Sequence, residues 1–411
     1  MRFVLGFLAI LVCGCGGADR VEPEPLPAPP PGRWRAAFAD PDSLTPGQRE
    51  TMDRLRSIGY VSGSRPPRAE TGVTLYDSLR TAPGANLVVS GHEAGARLLD
   101  ARGTELHRWA FRFTDAFPNY DLPGDAGAAE YWRRAWLLPE GDVLAIFEGL
   151  GLIRVDRDSN LRWAFPGEAH HDLDIAPDGS LFVLTRRAGM LPRINREEPV
   201  LEDFITHLTA EGSVIRSFSL LQAFERSAFR HELSAMTPEG DLFHTNTLTL
   251  CREPSGPFRA GNALVSLLQL NLLATVDLTR EDVVWTLKGA WRAQHEPIRL
   301  ETGGILLLDN RGAGERSRVL EVDPESGQVQ WEYGSTPGTD FYTFDCGSVS
   351  RLPNGNTLVV ESNAGRAFEV TPEKDVVWEF NSPWRAGPRN AYVATLFDVV
   401  RVPPAGLDWL P

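Results

Sequence analysis

The sequence predicts an all-β fold: a six-bladed β-propeller with four-stranded antiparallel blades and a short N-terminal helix. Two observations predict it. Short apolar runs bounded by Gly, Asp, Asn and Pro follow one another along the chain, which is typical of antiparallel meanders. The pattern also recurs, and because one small sheet cannot bury both of its faces, neighbouring sheets have to stack. A chain of 411 residues is long enough for one such repeat fold.

The clearest repeat is the stretch 291–334, in which four short strands are separated by turns at Gly303-Gly304 and Gly327. Its predicted strands are 295–300, 305–309, 318–322 and 329–333. The strands predicted for the other repeats are 86–90, 97–100 and 105–109; 134–138, 143–147, 152–155 and 161–165; 172–176, 181–185, 204–209 and 214–218; 245–251, 263–267, 274–278 and 283–287; and 347–352, 357–361, 367–370 and 376–380.

Two further segments are predicted from their spacing. Apolar residues at helical intervals in 220–236 predict a helix between the third and fourth repeats. The stretch 392–402 has a strand pattern, and we expect it to join the first repeat and close the ring.

Tryptophans end the outer strand of five of the six repeats, and the last three are about 46 residues apart, as expected of one blade. We expect these indole rings to pack between blades. Quinone-cofactor propellers also carry blade tryptophans, but the sequence shows no other feature of such a site. The five residues are Trp109, Trp163, Trp285, Trp331 and Trp378.

The N-terminal residues predict export. Residues 1–14 form a signal peptide of the lipoprotein type, with an apolar run too short to span a membrane. The run 12–15 (VCGC) resembles a bacterial lipobox, which makes Cys15 the predicted lipid-attachment residue; an ordinary cleaved signal is the alternative. The predicted location is therefore periplasmic or at the cell surface, with a lipid anchor in a bacterial membrane.

Three parts follow the signal. Residues 15–42 are rich in proline and predict an extended, stiff tether. Residues 43–69 form a short helical lead-in, where Thr45 and Gln48 have the spacing of a capping box. Residues 70–411 form the propeller. Cys251 and Cys346 fall in different repeats, so we expect free thiols although export permits a disulfide.

The net charge of −14 argues against nucleic acid or an anionic membrane surface as general partners. It leaves an anionic substrate open, because a site needs only local positive donors. The sequence has no GxSxG motif, no Gly-rich phosphate loop and no paired-carboxylate motif that would define another chemistry.

Three of the eight histidines stand where an inner strand begins: His171, His244 and His295. In a propeller these positions face the same end of the central funnel. Each histidine alone fits a hydrogen-bonded turn, but three at matching places indicate one shared site. His170 is the alternative to His171, because alternation along a strand sends only one of them to the funnel. Such a cluster fits a nucleophile, a general base or a zinc site, although no HExxH or CxxC spacing supports a metal.

The same residues resemble the bacterial arylsulfate sulfotransferase family. The resemblance extends in order from about residue 70 onward. It is carried by GVTLYDS (72–78), NLVVSGHEAGARLLDARGTELHRW (86–109), HHDLD (170–174), HTNT (244–247), QHEPIRLETGGILLLDN (294–310), RLPNGNTLVVES (351–362) and GRAFEVTPEKDVVWEF (365–380).

The resemblance implies an exported six-bladed propeller that transfers a sulfuryl group from a phenolic sulfate ester to a phenol, without a nucleotide donor or other cofactor. Its partners would be small phenols and aryl sulfates. His295 would be the nucleophile that becomes sulfated, while His171 and His244 would hold the sulfate oxygens. Asn246, within HTNT, is a further candidate for substrate binding. The chemistry suits a neutral imidazole attacking sulfur and a phenolate leaving.

One position departs from the family pattern. The family has an arginine within the stretch that matches ALVSLLQLN (263–271), and here Leu268 stands in its place. Leucine cannot supply the two N–H donors that clamp a sulfate. Either another arginine substitutes, with Arg187 and Arg311 as candidates, or the transferase activity is lost. The alternatives are then a propeller that binds an anionic or aromatic ligand without turnover, and a protein-interaction scaffold.

Overall fold

The structure is a computed structural model that describes residues 44–122, 127–312 and 316–410. The predicted signal peptide, Cys15 and the tether lie outside the described residues. In the described part, strands far outnumber helices. Among these residues, none of the helices combines the length and apolar character needed to cross a bilayer.

The described chain begins with the predicted capped helix. Helix α1 is Pro46–Arg56, and Thr45 and Gln48 form the expected capping box. Leu55 is its one buried side chain, and the helix packs on the third large sheet. Two short strands follow, β1 (Gly63–Arg65) and β2 (Gly72–Tyr76).

Large antiparallel sheets, here called sheets I to VI, make up most of the described chain. Sheet I contains β3 (Ala85–Ser90), β4 (Gly95–Leu99) and β5 (Glu105–Ala110). After helix α2 (Phe113–Ala116) and a 3-10 turn (Gly127–Ala129), sheet II contains β6 (Arg134–Leu137), β7 (Val143–Phe147), β8 (Gly151–Val155) and β9 (Leu161–Phe165). Sheet III contains β10 (Ala169–Ile175), β11 (Leu181–Gly189), β12 (Val200–Leu208) and β13 (Val214–Ser219).

A helical segment separates sheets III and IV. The predicted helix over 220–236 is wrong as a single element: helix α3 ends at Arg226 (Leu220–Arg226) and a 3-10 helix follows at Arg230–Ala235. Ser227 explains the break, because its hydroxyl donates to the Phe224 carbonyl and accepts from the Phe229 N–H. Strand β14 (Gly240–Asp241) then pairs with β12 in parallel.

The remaining sheets follow in chain order. Sheet IV contains β15 (Thr245–Cys251), β16 (Asn262–Leu267), β17 (Leu272–Asp277) and β18 (Asp282–Lys288), with a 3-10 turn at Leu268–Leu270. Sheet V contains β19 (His295–Arg299), β20 (Ile305–Asp309), β21 (Arg318–Val322) and β22 (Val329–Tyr333). Sheet VI contains β23 (Val349–Arg351), β24 (Thr357–Glu361), β25 (Arg366–Val370) and β26 (Val376–Asn381), with a 3-10 turn at Ser362–Ala364.

The C-terminal segment returns to the start of the chain. Strands β27 (Arg385–Ala386) and β28 (Tyr392–Ala394) form a small sheet with β1, and β29 (Leu396–Val402) pairs with β3 in sheet I. Short 3-10 helices lie at Pro388–Asn390 and Pro404–Leu407. The predicted closing strand is therefore confirmed for its second half. A second pairing joins an early strand to a late one, because β2 pairs with β26 in sheet VI.

Apolar side chains fill the spaces between neighbouring sheets. One buried cluster joins sheets III and IV through Leu184, Leu248 and Val265, and others join V to VI and II to III. The outer-strand tryptophans contribute hydrogen bonds as well: Trp331 Nε1 donates to the Pro372 carbonyl of the next sheet and Trp378 Nε1 to that of Ala101. The expected packing of these indoles between sheets is confirmed. Cys251 and Cys346 are buried free thiols, as expected.

A buried ionic network joins the inner strands, by which we mean the edge strands β29, β6, β10, β15, β19 and β23 of sheets I to VI. Its centre is the Arg134 guanidinium of β6. Ion pairs connect it to Asp172 of β10 at 3.0 Å, Glu296 of β19 at 2.5 Å and Asp398 of β29 at 3.1 Å. Sheets IV and VI join through hydrogen bonds, since Leu248 N–H donates to Asp172 and Ser348 Oγ to Asp398.

Protonation balances this network of one cation and three carboxylates. Burial alone would lower the pKa of Arg134, but the surrounding carboxylates raise it well above its usual value. Burial raises the pKa of Asp172 to about 8, even though Arg134 opposes that shift. Near neutral pH, Asp172 therefore retains much of its proton, which reduces the repulsion between the carboxyl groups.

Replacing the central arginine should destabilise the fold more than removing any exposed ion pair. In Arg134→Met three buried carboxyl groups lose their cation, and we expect a loss of about 3–5 kcal/mol in the free energy of unfolding. Urea unfolding followed by tryptophan fluorescence measures it. The control is Arg112→Met, which removes the exposed pair with Asp115 and should leave the unfolding midpoint in place. Equal midpoints for the two variants would contradict a central role for Arg134.

Candidate functional site

Backbone irregularities at the inner strands set up the site. The strand pairing shifts register between Ala169 and Leu173, between Thr245 and Thr247, and between His295 and Ile298. His171, His244 and Glu296 also have positive φ values of 53°, 49° and 51°. Non-glycine residues adopt this conformation at a cost, and such bulges redirect side chains.

The bulge in β10 changes which side chains of the pair His170 and His171 are buried. A regular strand would bury only one of His170 and His171, yet both are buried and their Nδ1 atoms are 2.8 Å apart. His171 is the one that reaches the centre of the site, and His170 lies behind it. Alternation predicted that only one of the two would turn inward, and the burial of both shows that this expectation was wrong.

A tyrosine from the lead-in connects two of the predicted histidines. The Tyr60 hydroxyl is 2.6 Å from His171 Nε2 and 3.2 Å from His244 Nε2. The two imidazole rings are 4.8 Å apart between centroids. His171 and His244 therefore lie side by side, with the Tyr60 hydroxyl between their Nε2 atoms.

His171 is a neutral base held by a carboxylate. Burial lowers the pKa of His171 to about 3, although Glu148 opposes the shift. Glu148 Oε1 is 3.2 Å from His171 Nδ1, and Glu148 Oε2 accepts from the His171 backbone N–H. These contacts place the ring proton on Nδ1 and leave the Nε2 lone pair directed at Tyr60.

His244 has the opposite charge preference. Burial alone would lower its pKa, but the carboxylates of Asp241 and Asp203 raise it overall. Asp241 Oδ2 lies 2.7 Å from His244 Nδ1 and its other oxygen accepts from the His244 backbone N–H. A protonated His244 would donate from Nε2 to the Tyr60 oxygen. The phenol group thus lies between an acceptor and a donor.

His295 is buried and neutral. Its Nδ1 is 2.9 Å from Asn310 Oδ1 and 3.0 Å from the Ala293 carbonyl, so Nδ1 carries the proton. Its Nε2 is buried and has no hydrogen-bond partner among the described residues. Burial, with Arg133 and His244 nearby, lowers the pKa of His295 to about 3. The Nε2 lone pair is therefore available for attack on an electrophile.

Asn310 orients this ring because its own amide is locked. The Asn310 side-chain N–H groups donate to the carbonyls of Thr343 at 3.0 Å and Cys346 at 2.7 Å. Only the Oδ1 atom then faces His295. If the Asn310 amide were turned over, its N–H groups would face the Nδ1–H of His295. Its oxygen would then face the carbonyls of Thr343 and Cys346, so both contacts would be repulsive.

Arg133 is the cation of the site. Its side chain is 5% exposed, and its guanidinium lies 4.8 Å from the Tyr60 ring centroid and 5.5 Å from that of Phe397. It makes no ion pair with the described carboxylates, and its Nε has no hydrogen-bond partner there. Its charge lowers the pKa of His295 and of His171, and its guanidinium contacts the Tyr60 ring. A buried cation without a carboxylate partner suits an anionic ligand.

The remaining predicted residues lie elsewhere or support the site indirectly. Asn246 is buried, and its Nδ2 donates to the Gln294 carbonyl beside His295. Arg187 is exposed beside the Phe204 ring and lines an outer cavity of about 730 Å³. Arg311 lies on the Phe344 ring, with Nε donating to the Phe344 carbonyl. In the part of the chain that the structure describes, Arg311 is not among the contacts of the three histidines.

One group of side chains has a spacing compatible with a metal ion. Ligand atoms of Glu148, His170 and His171 all lie within 4.8 Å of one another. The same atoms also contact one another, since His171 Nδ1 is 2.8 Å from His170 Nδ1. Whether a metal ion binds to Glu148, His170 and His171 is a question for a chelator experiment.

Five residues described at the site were not predicted from the sequence: Tyr60, Arg133, Glu148, Asp241 and Asn310. A signal existed for Arg133, which immediately precedes β6 as His244 precedes β15. Asn310 follows β20 at the end of the stretch that begins with His295. Tyr60 gave no signal, because it lies outside the repeats and reaches the site only through the path of the lead-in.

Comparisons with known proteins agree with this description. A model of the arylsulfotransferase (ASST) family matches residues 134–383. No curated protein matches the chain.

Many solved structures are similar in fold. A protein of unknown function from Bacteroides caccae has 14% identity and a TM-score of 0.50, over 73% of this chain and 94% of its own. A streptogramin B lyase has 12% identity and a TM-score of 0.42, over 80% and 87%. The Dos1 propeller has 13% identity and a TM-score of 0.39, over 82% and 78%. At these identities the likeness concerns the fold alone.

The charge states can be measured directly. We expect the His295 imidazole to stay neutral, protonated at Nδ1, down to a pH of about 4, because burial lowers its pKa to about 3. His244, whose pKa is raised, should keep its proton to higher pH than a free histidine and lose it on further alkalinisation. Long-range ¹H–¹⁵N spectra of the imidazoles, assigned with His295→Asn and His244→Asn, report both. A His295 ring that is protonated at pH 6, or carries its proton on Nε2, would contradict this assignment.

Proposed function

The chain belongs to the arylsulfotransferase family, and we propose that it transfers a sulfuryl group from a phenolic sulfate ester to a phenol through His295. The observation that carries the proposal is the His295 imidazole. Its Nε2 is buried without a hydrogen-bond partner among the residues described, and Asn310 and the Ala293 carbonyl hold its proton on Nδ1. A neutral nitrogen nucleophile is therefore preorganised inside a cluster that favours anions.

The first half of the reaction uses charges already present. The His295 Nε2 lone pair forms a bond to sulfur while the bond from sulfur to the phenolic oxygen breaks. The sulfated ring becomes an imidazolium, and its Nδ1–H continues to donate to Asn310 and the Ala293 carbonyl. The departing phenolate takes a proton from His244, whose raised pKa keeps that proton available.

The second half reverses these steps with another phenol. Its oxygen attacks sulfur, the nitrogen–sulfur bond breaks, and the phenolic proton returns to His244. Once His244 has given up its proton, its Nε2 accepts the hydrogen bond of the incoming phenol and then the proton itself. No nucleotide or cofactor takes part in this exchange.

Arg133 replaces the family arginine in this proposal. Leu268 is partly buried, and its backbone N–H donates to the His244 carbonyl, so an apolar side chain occupies that place in sheet IV. The Arg133 guanidinium comes from sheet II and has no carboxylate partner among the described residues. In this proposal Arg133 donates to the sulfuryl oxygens, whose charge must be stabilised by fixed donors.

The wider architecture of the proposal is a closed ring of six blades over 70–411. Contacts between consecutive sheets and from sheet VI back to sheet I support it, as do the closing pairs β29–β3 and β2–β26. We propose an exported protein in which 1–14 is the signal, Cys15 the lipid-bearing residue, 15–42 the tether and 43–69 the lead-in. Fatty-acid labelling that persists in Cys15→Ser would contradict the anchor.

The nucleophile can be tested with a chromogenic aryl sulfate and a phenol acceptor. We expect acceptor-dependent release of the chromogenic phenol, and a loss of at least about 10³-fold in His295→Asn, because the covalent route is closed. The matched control is His231→Asn, an exposed histidine outside the cluster. Activity that survives in His295→Asn would contradict the mechanism. If a chelator abolished the activity and a cation restored it, the result would indicate a metal site at Glu148, His170 and His171 instead.

Arg133 and Leu268 separate the transferase from the second candidate function, a propeller that binds an anionic or aromatic ligand without turnover. Two observations favour that second function: Leu268 stands where the family has an arginine, and the Tyr60 hydroxyl lies between His171 and His244. If the Arg133 guanidinium donates the hydrogen bonds to the sulfuryl oxygens, turnover should fall about 10²-fold in Arg133→Met and by less in Arg133→Lys. Phenol binding without release in the wild type and in Leu268→Arg would establish the binder. If only Leu268→Arg turned over the substrate, Arg133 would not be a substitute for the family arginine.

A further inference from the structure

A segment of the lead-in passes beside His171 and His244 and is bound through its backbone. We call residues 57–65 the strap. The Tyr60 carbonyl accepts from the Tyr131 hydroxyl at 2.5 Å, the Val61 carbonyl from Thr395 Oγ1 at 2.7 Å and the Ser62 carbonyl from the Thr395 N–H at 2.8 Å. These are the contacts that a bound extended peptide would make.

Both ends of the strap are held as well. On one side Arg186 donates to the Ile58 carbonyl, and Arg56 lies 3.5 Å from Glu168. On the other side β1 pairs with β28. The strap is therefore anchored on both sides of Tyr60, whose side chain points toward His171 and His244.

The Tyr60 side chain occupies the place of a phenolic substrate. Its hydroxyl contacts both His171 and His244, and its ring meets these imidazoles edge-on at centroid distances of 5.5 and 6.5 Å. Arg133 lies over the same ring, and the Phe397 ring is 6.3 Å from it between centroids. A residue that only plugged the cavity would need no hydroxyl. This hydroxyl has a base on one side and an acid on the other.

We propose that Tyr60 is a sulfate acceptor, so that the chain carries a tyrosine-sulfation site within its own active site. The inference rests on the proposed function. In a two-step exchange the leaving phenol and the incoming phenol use the same place in turn, and Tyr60 takes that place when the donor's phenol has left.

The transfer balances without any further reactant. An aryl sulfate sulfates His295 and departs as a phenol. The nitrogen–sulfur bond of His295 then breaks, the Tyr60 oxygen–sulfur bond forms, and the Tyr60 proton passes to His244. Because the product is itself a phenolic sulfate ester, the reverse transfer to His295 is open. Tyr60 would thus store a sulfuryl group that a free phenol can remove.

The experiment exposes the wild-type protein to an aryl sulfate without an acceptor and maps its peptides by mass spectrometry. Trypsin releases 57–68, since the bond after Arg65 precedes a proline, and Tyr60 is the only tyrosine in it. We expect one added sulfuryl group on Tyr60, and its loss when a free phenol is added. The modification should be absent in Tyr60→Phe and in His295→Asn, and present in the control Tyr76→Phe, whose tyrosine lies on the outer strand β2.

The outcomes separate this inference from the proposed function. Transfer to free phenol with Tyr60 unmodified would overturn the inference alone and leave Tyr60 as a plug. Failure of both transfers would overturn both. Mixing active Tyr60→Phe with His295→Asn tests the route: Tyr60 of the inactive chain should stay unmodified, and its sulfation by another molecule would overturn transfer within the chain.

Discussion

One buried guanidinium, that of Arg134, holds the centre of this molecule. It pairs with carboxyl groups from three other sheets, and two hydrogen bonds extend the network to the remaining two. Buried charges are tolerated only when paired and hydrogen-bonded, so the inner strands have to meet in one arrangement. The neighbours of this network line the site: Arg133 precedes Arg134, His171 precedes Asp172, and His295 precedes Glu296.

Three histidines acquire different properties because their surroundings differ. Burial leaves His171 and His295 neutral with pKa values near 3, whereas the carboxylate of Asp241 raises the pKa of His244. The partner on Nδ1 then sets the function of Nε2. A carboxylate behind His171 leaves its Nε2 as a hydrogen-bond acceptor, and an amide oxygen behind His295 leaves a lone pair for bond formation.

Sequence reasoning predicted the repeated strands, the capped helix α1 and the three histidines, because all depend on local spacing. It missed Asn310 and Glu148, whose roles depend on which atoms they meet after folding. The bulge at His171 also escaped it, since a register shift leaves no mark in apolar periodicity. Helix α3 ended early because the Ser227 hydroxyl competes for backbone groups, an effect too local for a window of helical spacing.

By itself, the sequence determined the sheets, the family resemblance and the positions where histidines begin inner strands, because hydrophobic alternation and turn residues act over a few residues. Only the tertiary structure decided which charge meets the histidines and what fills the space between them. Arg133 reaches His295 from three sheets away, and Tyr60 arrives from outside the repeats. Long-range contacts of this kind depend on how the sheets pack around Arg134, and no local pattern contains that information.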